Sequence, residues 1–319
     1  MTRLLLVFPD DTARPVLNVV RTARRTLMLR LKSLAASVLT EAVIEAANRG
    51  VGVRMLVSAA PAVQDAAATA LQAALAGAGI EFRFGNPKFA SSRQQAVVVD
   101  DSTAIIVSLS WRQIAFGLTR DYAVMTTHRH EVREMMACFD ADWTEEVFSP
   151  RASSRLIWCP NHGRERLAEF IDKASSSLCM QNEPYQDMLI VERLVRAARR
   201  GVKLHLMMQR PGAANPDKRI EHAAGPRILQ DLGAKVRAGP HRVRAEMMVA
   251  DRARAIVGSI SLATGSLDAR RELAIEVSET GLVRRLDAIW RGDWAVARKI
   301  DLGDESLLRE QDGLTDASS

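Results

Sequence analysis

Long apolar runs are missing from this 319-residue chain. No stretch reaches the roughly 18 residues that a membrane-spanning helix needs, so no segment reads as transmembrane. The opening Met1-Thr2-Arg3-Leu4-Leu5-Leu6-Val7-Phe8 is too short for a secretory apolar region and is followed by Pro9-Asp10-Asp11. It reads as a first strand. Aromatic residues make up only 5% of the chain, which weighs against recognition of single strands by base stacking. Cysteine is scarce as well. Cys138, Cys159 and Cys179 are odd in number and lack metal-ligand spacing, so a reducing cytoplasm is the expected compartment. Cys159 and Cys179 sit in apolar runs, which predicts buried structural thiols. There is no Walker loop: Gly77-Ala78-Gly79 lacks the Lys-Ser/Thr continuation and fits a helix end. No His/Cys/Asp/Glu cluster has metal spacing, so neither a metal nor a cofactor is implied.

Charge is present but uneven. Residues 1–150 carry 16 Lys and Arg against 15 Asp and Glu, whereas residues 151–300 carry 27 against 17. The basic second half predicts an anionic partner, or else an arginine-rich composition spread over solvated helix faces. The end of the chain, 301–319, carries one basic residue against six acidic ones and contains Ser and Gly. It reads as a disordered acidic tail.

A single register, 151 residues, lays the first half over the second. Gly50 falls on Gly201, Asp100 on Asp251, Ser108 on Ser259, Arg120 on Arg271, and Asp142-Trp143 on Asp293-Trp294. The chain is therefore a tandem duplication of one α/β unit, with repeats at 1–150 and 151–300. Within each repeat, short apolar runs alternate with amphipathic helical stretches. Val16, Val19, Val20 and Ala23 keep helical spacing, as do Leu167, Phe170, Ile171 and Ala174. A helix ends at Gly50 or Gly201, each preceded by a basic residue. Strands are expected at Leu4–Phe8, Leu27–Leu31, Val51–Val57, Ala96–Asp100, Ala104–Ser108 and Tyr122–Thr126, and at the matching positions of the second half. Helical crossovers imply a mixed, mostly parallel sheet. A fused repeat also has a pseudo-twofold axis, and equivalent residues are expected to meet at an inter-repeat cleft.

This order of elements, twice over, resembles the phospholipase D superfamily, of the cardiolipin synthase-like tandem-repeat type. That family repeats His-x-Lys-x4-Asp, then a Gly-Ser-x-Asn segment, then an acidic residue. The second half carries Asp251, Gly258-Ser259-Ile260-Ser261 and Arg270-Arg271-Glu272 in that order. The departures matter as much. The histidine positions hold Arg93 and Arg244, the lysine positions Gln95 and Glu246, and the asparagine positions Ser110 and Ser261. Asp100 and Asp251 remain.

The resemblance implies a reaction in which one histidine attacks phosphorus, the other protonates the leaving oxygen, and the lysines hold phosphate oxygens. Arginine stays protonated at usable pH and is neither nucleophile nor base. A glutamate where a phosphate-binding cation belongs repels the substrate. The reading is a catalytically degenerate phospholipase D-like protein, a pseudoenzyme. It is expected to bind a phosphate-containing anion, either a lipid headgroup or a nucleic acid backbone, through Arg93, Arg244, Ser108, Ser110, Ser259 and Ser261. Two guanidinium forks can hold one phosphate from both sides.

Alternatives stay open. Asp121 and Glu272 occupy the family's histidine-orienting position, so Arg93–Asp121 and Arg244–Glu272 salt bridges could fill the old site. Asp100 and Asp251 suit turn-capping better than chemistry. An active phosphodiesterase or phosphatidyltransferase would need a non-standard nucleophile such as Ser259, or a histidine from another chain. Family analogy adds two further partners: an active homologue or second copy of this chain, and the inner face of a membrane, touched peripherally through basic helices.

Overall fold

The architecture is that of a computed structural model describing residues 2–58, 66–108, 119–209, 218–243 and 246–303. The chain forms two compact units. The first combines Met1–Gly163 with the later passes Val257–Ile260 and Gly265–Glu276; the second holds the remainder. Of the residues singled out above, Ser110, Arg244 and the tail from 304 onward lie outside the described residues, as does the start of the helix expected from Ala62.

The first unit opens with β1 (Arg3–Phe8), α1 (Arg14–Arg21), β2 (Thr26–Leu31), α2 (Val38–Asn48), β3 (Gly52–Val57), α3 (Ala66–Gly77) and β4 (Glu81–Phe84). A short β5 (Ser91–Ser92) leads to the meander β6 (Gln95–Val99), β7 (Thr103–Val107) and β8 (Thr119–Thr126), and then to α4 (Arg129–Trp143). Strand order is β1-β8-β7-β6-β2-β3-β4. The sheet is mixed as expected, but the balance differs from the expectation of mostly parallel pairing. Along this order β2–β3 and β3–β4 are parallel; β1–β8, β8–β7, β7–β6 and β6–β2 are antiparallel. The reason is local. The helix-linked strands β1 to β4 do run in one direction, as crossovers require. The β6–β7–β8 meander inserts between β1 and β2 and turns each neighbouring pair antiparallel.

Alternate residues of the central strands point to each face. Leu27, Leu29 and Leu31, with Val53, Met55, Val57, Val97, Val99, Ile105 and Val107, pack against Val16 and Val20 of α1 and Leu39, Val43 and Ala46 of α2. The α4 helix lies on β2, β6 and β7. Arg30 of β2 points toward it, and its guanidinium reaches the Asp142 carboxylate at 2.6 Å.

The α2 end shows why a glycine sits at Gly50. Its φ is +90°, a conformation that a Cβ disfavours. The Val51 and Gly50 N–H groups bond the carbonyls of Ala46 and Ala47, satisfying the last helical acceptors. Gly201, Val202, Ala197 and Ala198 repeat this cap in the second unit, again at φ +90°.

The second half runs β9 (Leu156–Cys159), α5 (Gly163–Asp172), β10 (Ser177–Gln181), α6 (Met188–Arg199), β11 (Lys203–Met208), α7 (Arg219–Asp231), β12 (Lys235–Ala238) and β13 (Arg242–Val243). Then come β14 (Glu246–Ala250), β15 (Arg254–Gly258), α8 (Thr264–Asp268), β16 (Arg270–Val277), α9 (Thr280–Val296) and β17 (Arg298–Lys299). In the second unit β10 pairs parallel with β11 and antiparallel with β14, and β12 pairs parallel with β11. β16 belongs to the first unit, antiparallel to β9 and parallel to β5. The short β4, β12 and β17 and the one-turn α8 add to the elements expected from the sequence. All three cysteines are buried, and none is in a disulfide. Burial pushes the Cys138 thiol up to about 12 and the Cys179 thiol up to about 11, so both stay protonated. Among the described residues, no helix is long and apolar enough to cross a membrane.

Candidate functional site

The two retained aspartates hold turns together. Asp100 and Asp101 have φ of 50° and 55°, and Asp251 and Arg252 have 54° and 58°. Each pair opens the tight turn after a strand, β6 or β14, and aspartate tolerates this left-handed geometry. The Asp100 carboxylate accepts the backbone N–H groups of Arg24, Arg25 and Thr26 at 2.7–3.2 Å. The Asp251 carboxylate accepts those of Ser175, Ser176 and Ser177, and both Ser175 and Ser176 hydroxyls. Partial burial raises both carboxyl pKa values, but the converging N–H donors outweigh it and the net shift is downward. Each aspartate therefore stitches its hairpin to the start of β2 or β10, and this role requires no reacting partner.

At the first lysine position, Gln95 is buried, and its side-chain Nε2 donates to the Ser108 carbonyl at 3.3 Å. At the second, Glu246 is buried, and its carboxylate accepts the Glu183 N–H at 3.2 Å. Ser108 and Ser259 occupy matching strand ends. The Ser108 hydroxyl accepts the Tyr122 N–H at 2.9 Å, and the Ser108 N–H donates to the Tyr122 carbonyl. The Ser259 hydroxyl accepts the Leu273 N–H at 3.3 Å, and the Ser259 N–H donates to the Leu273 carbonyl. Both hydroxyls thus close a ladder end. Ser261 is fully buried in the second unit.

Gly258, just before Ser259, is fixed by packing. A Cβ there would lie 2.3 Å from the Leu273 carbonyl oxygen and 2.4 Å from the Ala274 Cα, both backbone atoms that cannot step aside. Gly258→Ala is expected to lower stability by about 1–3 kcal/mol. A urea midpoint equal to that of the natural protein would show that the strands can separate there.

The acidic residues near the family's orienting position differ from each other. Asp121 is fully buried; its oxygens accept the Ser108 hydroxyl at 2.9 Å and the Thr119 hydroxyl at 2.7 Å. Glu272 is also fully buried and accepts the Ser266 hydroxyl at 2.7 Å. Burial raises its pKa to about 7, against the opposing pull of the Ser266 hydroxyl, the Arg93 charge, the Ser259 hydroxyl and the Arg270 charge. Arg93 reaches this neighbourhood because its N–H, with that of Gln94, bonds the Arg271 carbonyl, and because β5 pairs with the start of β16. The described geometry thus brings Arg93, Ser259, Ser266 and Glu272 together within the first unit. In the sequence Asp121 stands as a partner for Arg93, and nothing there marks Ser266, which lies on α8, or Thr119.

Beside this cluster, Asp142 is almost inaccessible. It takes the Arg30 guanidinium at 2.6 Å and the Arg271 guanidinium bidentately at 2.9 and 3.0 Å. The remaining Arg271 nitrogen donates to Asn161 at 2.7 Å, and its plane lies over the Phe89 ring. His205 is framed edge-on by Trp290 and Trp294, and burial lowers its pKa, so it serves packing. Among the described residues, no group of three or more His, Cys, Asp or Glu could hold a metal ion.

No curated protein sequence matches the chain. Its fold recurs among solved structures. The crystal structure of polyphosphate kinase from Porphyromonas gingivalis has 15% identity and a TM-score of 0.72, covering 91% of this chain and 46% of that one. The chain thus spans about half the length of that kinase. Phosphatidylserine synthase from Haemophilus influenzae has 9% identity and a TM-score of 0.71, covering 96% of this chain and 88% of that one. At such identities the likeness speaks of fold alone. The family described as "Cardiolipin synthase, PLD-like domain" matches residues 16–143 and again residues 167–294, the same 151-residue offset that superimposes the two halves. The chain belongs to this phospholipase D-like family and carries its domain twice in tandem.

Proposed function

We propose that the chain is a catalytically degenerate phospholipase D-like protein that binds a phosphate-containing anion through Arg93 and Arg244. One observation carries this reading. Both family histidine positions hold arginine, and both lysine positions hold residues that carry no positive charge, while the turn aspartates and the frame persist. Asp100 and Asp251 are tied to backbone N–H groups, so their retention is explained without catalysis. A guanidinium can still hold a phosphate by paired, charge-assisted bonds. The Ser108 and Ser259 hydroxyls serve the strand ends, so in this reading the arginines supply most of the attraction.

A second reading, an active phosphodiesterase, is favoured by a different observation. Ser259 has a candidate base beside it, because Glu272 is buried and its pKa is pushed up to about 7. One pair of measurements separates the two. With purified protein and bis(p-nitrophenyl) phosphate, no turnover above buffer is expected. Calorimetric titration with inorganic phosphate is expected to show saturable binding, weakened at least about tenfold by Arg93→Met, a loss of about 1.4 kcal/mol. Turnover that Ser259→Ala abolishes would sink the pseudoenzyme reading and locate a nucleophile. Phosphate binding unchanged by Arg93→Met and by Arg244→Met would remove the arginines from the site.

A further inference from the structure

In the second unit, the side of the sheet covered by α9 gathers cations that the Arg93 site does not use. β10, β11 and β12 run parallel and side by side, with Ser177 beside Lys203 and His205 beside Lys235. Paired residues, and residues two apart on a strand, share a face. Lys203, His205 and Lys235 therefore point to one side, where Trp290 and Trp294 of α9 meet the His205 ring edge-on. Arg291 of α9 and Arg252, from the turn after β14, join them there. Their Nε atoms both donate to Asp287 Oδ2, at 2.8 and 3.0 Å. One buried carboxylate thus anchors two guanidiniums whose side chains stay more than half exposed. Lys203 and Lys235 are exposed and have no carboxylate partner among the described residues. Burial lowers the His205 pKa, and the charges of Lys235, Arg291 and Lys203 lower it further.

The first repeat shows that the fold does not dictate this charge. By the 151-residue offset, Lys203, Arg252 and Arg291 answer to Gly52, Asp101 and Asp140. Lys235 answers to Glu81, which stands beside Arg54 as Lys235 stands beside His205. Three carboxylates and a glycine in one copy thus match four cations in the other. Arg83 and Arg237, by contrast, keep one role in both copies. Each lies over a tryptophan ring and donates to that tryptophan's carbonyl. Packing accounts for the arginines that are kept and leaves the four added cations to another purpose. Like charges spread over about 15 Å of neighbouring strands repel one another unless an anion lies among them.

The chain itself carries the opposite charge close by. β17 runs antiparallel to β12, with Lys299 beside Arg237, and the Ile300 N–H bonds the Val236 carbonyl. The chain therefore heads toward the Lys235 end of β12. There the Leu302 N–H bonds Gln230 Oε1, near the end of α7. The sequence continues with residues 304–319, which hold Asp304, Glu305, Glu310, Asp312 and Asp316 against the single base Arg309. We propose that this acidic segment docks on the face formed by Lys203, Lys235, Arg252 and Arg291 and shields it from other polyanions. Sixteen residues extend to roughly 50 Å, several times the spread of the four cations. So short a tether keeps the carboxylates at an effective concentration in the millimolar range, which lets individually weak charge contacts hold. The docking face shares no residue with the Arg93 site and stands apart from that reading.

The test compares the full chain with a variant neutralised by Asp304→Asn, Glu305→Gln, Glu310→Gln, Asp312→Asn and Asp316→Asn. His205 is the reporter, its imidazole followed by NMR through its titration at low salt. Nearby carboxylates favour the charged imidazole, so the midpoint is expected to be lower in the variant by about half a pH unit. Sodium chloride at about 0.5 M is expected to abolish the difference. Tripolyphosphate is the competing probe, expected to raise the midpoint in the variant at a concentration several-fold lower than in the natural protein. Equal midpoints at low salt would overturn the proposal. Tripolyphosphate acting equally on both proteins would also overturn it and assign the face to an outside polyanion. Carbodiimide, which joins carboxylates to amines in contact, needs no variant. It is expected to link residues 304–319 to Lys203 or Lys235 in the natural protein, and links to other lysines alone, or none, would overturn the docking.

Discussion

Asp142→Ala is expected to destabilise the protein by about 3–5 kcal/mol, among the largest effects of any single substitution. The size follows from what the change leaves behind. Asp142 is the anion for two guanidinium groups, Arg30 at 2.6 Å and Arg271 at 2.9 and 3.0 Å. Both arginine side chains are within 5% of full burial. Without the carboxylate, two positive charges stay in the interior with no water to replace their partner. Arg271 keeps Asn161 and the Phe89 ring, so it cannot swing out to solvent without losing those as well. Asp142→Asn keeps the shape and one acceptor oxygen and is expected to fall between the natural protein and Asp142→Ala. Thermal unfolding reads the effect directly, as a midpoint lowered on the order of 10 °C for Asp142→Ala. A shift of a degree or less would mean that the guanidiniums find water or another anion, and that the network is an ornament of the fold.

That network also shows how much of the molecule could be read from its sequence. The 151-residue register singled out Arg271 and Asp142 as duplicated residues, Arg120 and Asp293 being their counterparts. It could not say which copy's aspartate an arginine meets. In a tandem duplication, within-copy and cross-copy pairings have the same residue types at equivalent positions, so pattern alone cannot tell them apart. Here Arg271, from the second copy, joins Asp142, from the first, inside one compact unit. The choice depends on chain passes such as Gly265–Glu276 that enter that unit late in the sequence.

The same ambiguity affected the site. Within the first repeat the sequence offers Asp121 as the partner of Arg93, yet the Arg93 charge acts on Glu272 of the second. Local features were far more legible. Gly50 and Gly201 end helices because only a positive φ closes the cap there, and this shows in any sequence. Asp100 and Asp251 suit turns on sequence alone, and each also takes three backbone N–H groups from the segment that leads into β2 or β10. Strand periodicity located β6 and β7 within a residue at either end. It gave no information on strand neighbours, which is why antiparallel pairing exceeds what helical crossovers suggested. A side chain such as Ser266, whose hydroxyl donates to the Glu272 carboxylate, leaves no local mark in the sequence.

Glu272→Gln is expected to stabilise the protein above neutral pH and to do almost nothing near pH 4. Burial pushes the Glu272 pKa up to about 7, whereas an unfolded glutamate titrates near about 4.3. Below the unfolded value both states hold the proton and the contribution to stability is complete. Between the two values the unfolded chain releases its proton while the folded chain keeps it, so stability falls as pH rises. Above the folded value the loss is complete. The span of roughly 2.5 pH units corresponds to about 3 kcal/mol. Glutamine mimics the protonated side chain and removes the titration, so its advantage should grow from near zero at pH 4 to about 3 kcal/mol at pH 8, read from urea midpoints. A difference independent of pH would mean that the carboxyl is ionised throughout.

The same proton bears on the proposed anion site, because Arg93 is the first of the charges opposing the burial of Glu272. While Glu272 is neutral, the Arg93 guanidinium has no ionised partner there and is available to an anion. Once Glu272 ionises, it competes for that charge. Sulfate separates this effect from titration of the ligand, since its charge is constant across the window. Sulfate affinity is expected to fall several-fold between pH 6 and pH 8 in the natural protein and to stay level in Glu272→Gln. Level affinity in both would leave Glu272 a buried acid with no hold over Arg93. A fall in both would place the controlling proton on another group.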